Sequence, residues 1–204
     1  MNNCIIINGQ HIELTQKQIA QIVAAHSATT AKLSDIPAGA TFKLGNYEFV
    51  VLEQFAETAA VILKEILPDV VVFSDSNNHY DGSNPDQACC DFAAELFELA
   101  GSDNLLPHIV DLTSDDGLKD YGSIERAVSL LTAEEYRNYV EILDKYKPDC
   151  WWWLATPHST KRHENDRWIK CVSPSGYINN NIYDYYDYGV RPFCILKSNI
   201  FVSV

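Results

Sequence analysis

A chain of 204 residues, 47% apolar and 21% charged, carries enough material for a hydrophobic core and too many aromatics for a disordered segment. Its formal net charge of −13 argues against direct binding to nucleic-acid backbones or anionic membranes, where clustered Lys and Arg supply the attraction. The six cysteines, Cys4, Cys89, Cys90, Cys150, Cys171 and Cys194, lack the paired spacing of a zinc site, and no signal peptide precedes them, so they read as reduced thiols.

The first predicted element is a hairpin, because Asn8-Gly9 separates two apolar runs. Thr15 and Gln18 then fit a capping box, with Ile19, Ile22 and Val23 on one helical stripe. Residues 27–40, small and polar with Pro37 and Gly39, read as a linker. Residues 1–40 are therefore expected to form a hairpin–helix appendage, with 1–26 as an oligomerisation segment, and 41–204 the main domain.

That domain opens with a hairpin around Gly45-Asn46, followed by buried strands at 59–67 and 70–73, the first with some helical character. Helical spacing through Phe92, Leu96 and Leu99 predicts a helix over 86–100, stopped by Gly101. Thr132 and Glu135 form a second capping box, predicting a helix over 134–146 that ends before Pro148. The last third is strand-like at 151–154, 168–172, 193–196 and 198–204. The class is α+β.

Residues 111–117 resemble a calcium loop only superficially. Counting back from Gly117 puts Leu112 first and Ser123 last, where an EF-hand needs acids, so a turn held by Asp and Ser/Thr side chains is expected instead. His108, Cys150, His158, His163 and Cys171 show no nucleophile–base spacing. No catalytic residue, metal or cofactor is assigned, and the chain reads as a binding protein rather than an enzyme.

Two aromatic segments carry more information. Strand geometry sends Trp151 and Trp153 to one face and Trp152 to the other, so both faces need covering. The run from Tyr177 to Tyr188 contains Asn179, Asn180, Asn181, Tyr183, Asp184, Tyr185, Tyr186 and Asp187. Tyr gives rigid amphipathic contact area and Asn or Asp adaptable hydrogen bonds, the composition of a recognition loop. Those residues are the expected binding surface, with Trp151, Trp152, Trp153 and Arg191 as support behind it.

Ser129-Leu130-Leu131-Thr132, Trp151-Trp152-Trp153-Leu154-Ala155-Thr156-Pro157, Val172-Ser173-Pro174-Ser175-Gly176 and Tyr188-Gly189-Val190-Arg191-Pro192-Phe193 follow in order. Together they resemble an uncharacterised domain of gut bacteria and their phages, marked by Trp-Trp-Leu-Arg and Gly-Val-Arg-Pro. That domain is similar to the formylglycine-generating-enzyme branch of the C-type lectin fold. The resemblance implies a C-type-lectin-like domain with mixed, mainly antiparallel sheets and two or three helices. It implies a bacterial cytoplasm or a phage as the location. Ala155 stands where the family has Arg.

The fold also houses the variable proteins of diversity-generating retroelements. Adenine changes in an Asn codon yield Tyr, Asp or Ile, which accounts for every residue from Tyr177 to Tyr188. The resemblance thus implies display of a loop that recognises a protein or glycan. Two alternatives stand beside it. One is an acidic phage-encoded inhibitor that blocks a basic nucleic-acid-binding surface through Asp111, Asp115, Asp116, Asp120 and Glu125. The other is a formylglycine-type oxidase with paired cysteines. Arg191 is expected to be buried, bonded to carbonyls or a carboxylate, because an unpaired buried charge is too costly.

Overall fold

The computed structural model describes residues 29–204 and Thr15, together with the backbone of two N-terminal strands. Those strands are β1 (Cys4–Ile7) and β2 (Gln10–Glu13), and they pair antiparallel with Ile7 opposite Gln10. The helix expected over 15–26, and any oligomerisation through it, lie outside the described residues.

The chain continues through β3 (Thr30–Lys32), β4 (Thr41–Leu44), β5 (Tyr47–Gln54), β6 (Thr58–Leu63) and β7 (Val70–Val71) to helix α1 (Asn84–Ala100). Then come β8 (Leu105–Leu106), β9 (His108–Asp111), β10 (Ser123–Arg126), β11 (Val128–Ser129) and helix α2 (Ala133–Leu143). The last third supplies β12 (Trp152–Pro157), β13 (Trp168–Val172), β14 (Ile178–Ile182), β15 (Tyr188–Gly189), β16 (Phe193–Lys197) and β17 (Phe201–Ser203). The described residues are thus α+β, with two α-helices and mainly antiparallel sheets.

The larger sheet runs β11-β16-β6-β5-β4-β17-β3, with β8 also on β16, and every pairing in it is antiparallel. The smaller runs β14-β13-β12-β15-β7; its one parallel pairing sets Trp152 beside Gly189. On β5, Phe49 and Val51 enter one core cluster while Val50 and Leu52 enter another, and β6 divides in the same way. A strand buried on both faces has no polar side to show, hence the unbroken runs Phe49-Val50-Val51-Leu52 and Ala59-Ala60-Val61-Ile62-Leu63. Trp153 belongs to the first cluster and Trp152 to the second, as strand alternation requires.

Local signals set the helix ends. Ser83 caps α1 by accepting from the Asp86 N–H, Pro85 occupies the first turn, and Gly101 ends the helix at φ 84°. The capping box of α2 forms in full: the Thr132 hydroxyl accepts from the Glu135 N–H, and Glu135 accepts from the Thr132 N–H at 2.7 Å. This helix stops at Leu143, three residues before the expected end. There the bonds tighten to Lys145 N–H to Ile142 O and Tyr146 N–H to Leu143 O, which exhausts the last carbonyls early.

Three expectations need correction. Residues 30–40 are not a linker, and the folded unit does not begin at Thr41. β3 pairs with β17, the Leu33 N–H bonds to Ile200 O, and Leu33 and Ile36 are buried. The strand expected over 59–67 ends at Leu63, where the Leu63 and Leu67 N–H groups turn to Pro192 O and Val190 O. The strand at 70–73 shrinks to an edge pair with Val70 exposed.

Arg191 is 1% exposed. Its Nε donates to Leu63 O at 2.9 Å, and its Nη2 donates to Lys64 O and Tyr146 O, each at 2.8 Å. The guanidinium carbon lies 5.3 Å from the Trp152 ring centre, within cation–π range. One side chain therefore ties the end of β6, the exit of α2 and the start of β12. Burial pulls its pKa down to about 10, which still leaves it charged at neutral pH.

Candidate ligand-binding surface

The segment 177–188 is not a loop throughout. Its first half is β14, the edge strand of the smaller sheet, paired with β13 from Val172↔Ile178 to Trp168↔Ile182. Its end is anchored too: Tyr188 sits opposite Val71, and the Gly189 N–H donates to Trp151 O at 2.8 Å. A Cβ on Gly189 would meet Ile66 at 2.8 Å, so only glycine lets the chain pass there.

The rings form a continuous ladder. Tyr177 meets Trp151 edge-on at 5.9 Å, and Trp151 stacks on Tyr188 at 5.6 Å and 18°. Tyr188 stacks on Tyr186 at 5.8 Å and 14°, and Tyr186 meets Tyr185 edge-on at 4.4 Å. Tyr188 also contacts the buried Trp153 at 4.5 Å, and its hydroxyl accepts from Asn181 Nδ2. Tyr185, Tyr177 and Tyr186 are 68%, 54% and 45% exposed, while Trp151 and Tyr188 are half-buried against the core. Fixed rings with open faces retain little freedom to lose on binding.

The other members of the segment divide by role. Asn179, Asp184 and Asp187 are exposed, and Asn180 is half-buried. The Asn179 side-chain oxygen accepts from the Asn180 N–H, and that of Asn181 from the Ile182 N–H. Tyr183 faces the core, and its carbonyl accepts from the Phe73 and Ser74 N–H groups. Asp184 lies 3.8 Å from Arg167. Trp153 lies against Tyr188 from the core side, and Trp151 is itself a rung between Tyr177 and Tyr188. Trp152 and Arg191 do not support the ladder, because they pack in the second cluster on the opposite face of β12.

The acids proposed as a negative stripe are mostly engaged. Asp115 accepts from Lys170 Nζ at 2.7 Å and from Arg137 at 2.9 Å. Burial alone would raise its carboxyl, but these two cations hold it below the usual range. Asp116 is held lower still: burial opposes, and Ser114, Ser159 and His163 overcome it. Asp120 pairs with Arg162 and accepts from Thr160, while Asp111 accepts from the Thr113 N–H and hydroxyl. Of the contacts within 111–118, those of Asp111 with Thr113 and of the Leu118 N–H with Ser114 Oγ are the turn contacts expected of 111–117. Sequence reasoning missed the Lys170 and Arg137 partners, since nothing in their spacing ties them to Asp115.

The candidate catalytic groups do not converge. Ser159, Asp116 and His163 do touch, but the carboxylate stands in the middle, so the His163 imidazole does not reach the serine hydroxyl. Burial pushes the Cys171 thiol up to about 12, and Cys171 and Cys194 lie on different sheets. Among the described residues no cluster of His, Cys, Asp and Glu is arranged to hold a metal, and no helix is long and apolar enough to cross a membrane.

His108 approaches Ser129 Oγ with its Nε2 at 2.8 Å, while that hydroxyl donates to Leu130 O. The contact joins β9 to β11 and is structural. Burial lowers the His108 pKa from 6.5 to about 4. Both folded and unfolded chains are neutral there above pH 6.5. As pH falls toward 4 the unfolded chain protonates first, so stability is lost across that window. The expected loss from about pH 7 to about pH 4.5 is roughly 2–3 kcal/mol. Urea denaturation at the two pH values should show that loss shrinking in His108→Gln; an equal loss in both proteins would release His108 from this role.

Residues 111–198 match the family model described as a domain of unknown function, DUF6273. The match spans α2, β12 to β16, the ring ladder and Arg191, and it leaves out α1. No curated protein and no solved structure matches the chain.

Proposed function

We propose that this protein is a ligand-binding module on a C-type-lectin-like scaffold, recognising a protein or glycan through the ladder Tyr177–Trp151–Tyr188–Tyr186–Tyr185. The observation that carries this reading is the exposure of three tyrosines, of which Tyr177 and Tyr186 are in ring contact with half-buried aromatics and Tyr185 with Tyr186. Solvent-exposed aromatic patches of this kind mark interaction sites in soluble proteins. The amide of Asn179 and the carboxylates of Asp184 and Asp187 border the rings and supply directional hydrogen bonds. The acidic-inhibitor alternative loses support from the partners already held by Asp115, Asp116 and Asp120.

The test replaces Tyr177, Tyr185 and Tyr186 together by Ser and leaves Tyr188, which is half-buried on Trp153, untouched. Wild type and variant are compared on a glycan array and in pull-downs, with thermal melts of both. Each exposed ring is expected to contribute roughly 2 kcal/mol, about thirtyfold in affinity. A ligand retained by the wild type and lost by the equally stable variant supports the reading. Ligands held equally by both would remove the ladder as the recognition surface.

A further inference from the structure

A concavity of about 500 Å³ lies at the rim of the larger sheet, away from the ring ladder. Its walls come from β3, the turn between β5 and β6, β8 and the turn between β16 and β17. Lys32, Lys197 and Ser198 carry its chemistry, with Thr58 and Asn199 beside them and Leu106 as an apolar wall. Its size falls in the range of small-molecule sites.

Two observations point to the ligand. The first is charge. In a chain of net charge −13, two ammonium groups line this concavity against one carboxylate, Glu57. Among the described residues neither Lys32 nor Lys197 forms an ion pair, so no carboxylate neutralises either charge at the concavity. The second is Ser198. It is 3% exposed, yet its hydroxyl has no hydrogen-bond partner among the described residues. Its backbone is fully engaged, the N–H with Glu57 O and the carbonyl with the Ser34 N–H, so the residue is fixed in place. A buried hydroxyl left unpaired is costly and rare, and a ligand acceptor is the economical reason for it.

We propose that this concavity binds the oxyanion group of a small organic ligand, with Lys32 and Lys197 supplying charge and the Ser198 hydroxyl a directed hydrogen bond. The site is independent of the ring ladder and would stand if that surface bound nothing.

Inorganic phosphate is the probe, titrated into the full chain by calorimetry against potassium chloride at matched ionic strength. Acetate and a hexose phosphate form parallel arms. Wild type should bind phosphate saturably. Lys32→Met/Lys197→Met should weaken it by about tenfold or more. Ser198→Ala should weaken binding several-fold while the ligand-free protein melts no lower, since the change removes an unpaired buried group. That pairing separates lost binding from lost folding. Tighter binding of the hexose phosphate would assign a phosphorylated ligand, and tighter binding of acetate a carboxylate; either supports the site. No saturable binding of any probe, or binding unchanged in both variants, overturns it.

Discussion

Replacing Arg191 by alanine is expected to destabilise the protein by roughly 3–5 kcal/mol, the scale for disrupting a buried, hydrogen-bonded charge. Three carbonyls, of Leu63, Lys64 and Tyr146, would lose their donor at once, and Trp152 would face a void. Domains of this size carry about 5–15 kcal/mol in total, so the variant should sit near the edge of folding at 37 °C. Arg191→Lys should recover only part of the loss, because one ammonium cannot reproduce a planar fork spanning three acceptors. Urea midpoints measure both, and an unchanged midpoint in the alanine variant would free Arg191 from any structural role.

Arg126→Ala is expected to cost roughly 3 kcal/mol or more for a different reason. Asp86 is 3% exposed and receives Arg126 bidentately, Nε to Oδ1 and Nη2 to Oδ2 at 2.8 Å each. Its remaining donor is the Gly82 N–H at 2.9 Å. Without Arg126 the carboxylate stays buried against one amide. Removing both charges, as in Arg126→Met with Asp86→Leu, should cost far less than the single change, since the penalty lies in the orphaned ion. A double variant as unstable as the single one would shift the cause to packing.

The sequence made plain what depends on near neighbours. Thr132 and Glu135 announced the start of α2, and the β-rich run 168–172 matched β13 end to end. Tryptophan alternation placed Trp152 and Trp153 in separate cores. What stayed hidden depends on partners distant along the chain. Thr30-Ala31-Lys32 shows no alternation and becomes a strand only because β17 arrives beside it from the far end. Asp115 looks like one of several loop acids until Lys170 and Arg137 arrive from a strand and a helix. The tyrosines of 177–188 were legible as a recognition composition. That half the segment is an edge strand was not, because Asn-rich strands contradict strand propensity.

The two asparagine oxygens on β14 have a consequence for solubility. An edge strand normally offers a row of free amides on which another chain can nucleate a cross-β stack. Here Asn179 and Asn181 each fold back onto the amide that follows, so the outward donors of Asn180 and Ile182 are already occupied. The tyrosine-rich rim can therefore stay exposed while its edge offers fewer backbone donors for fibre growth.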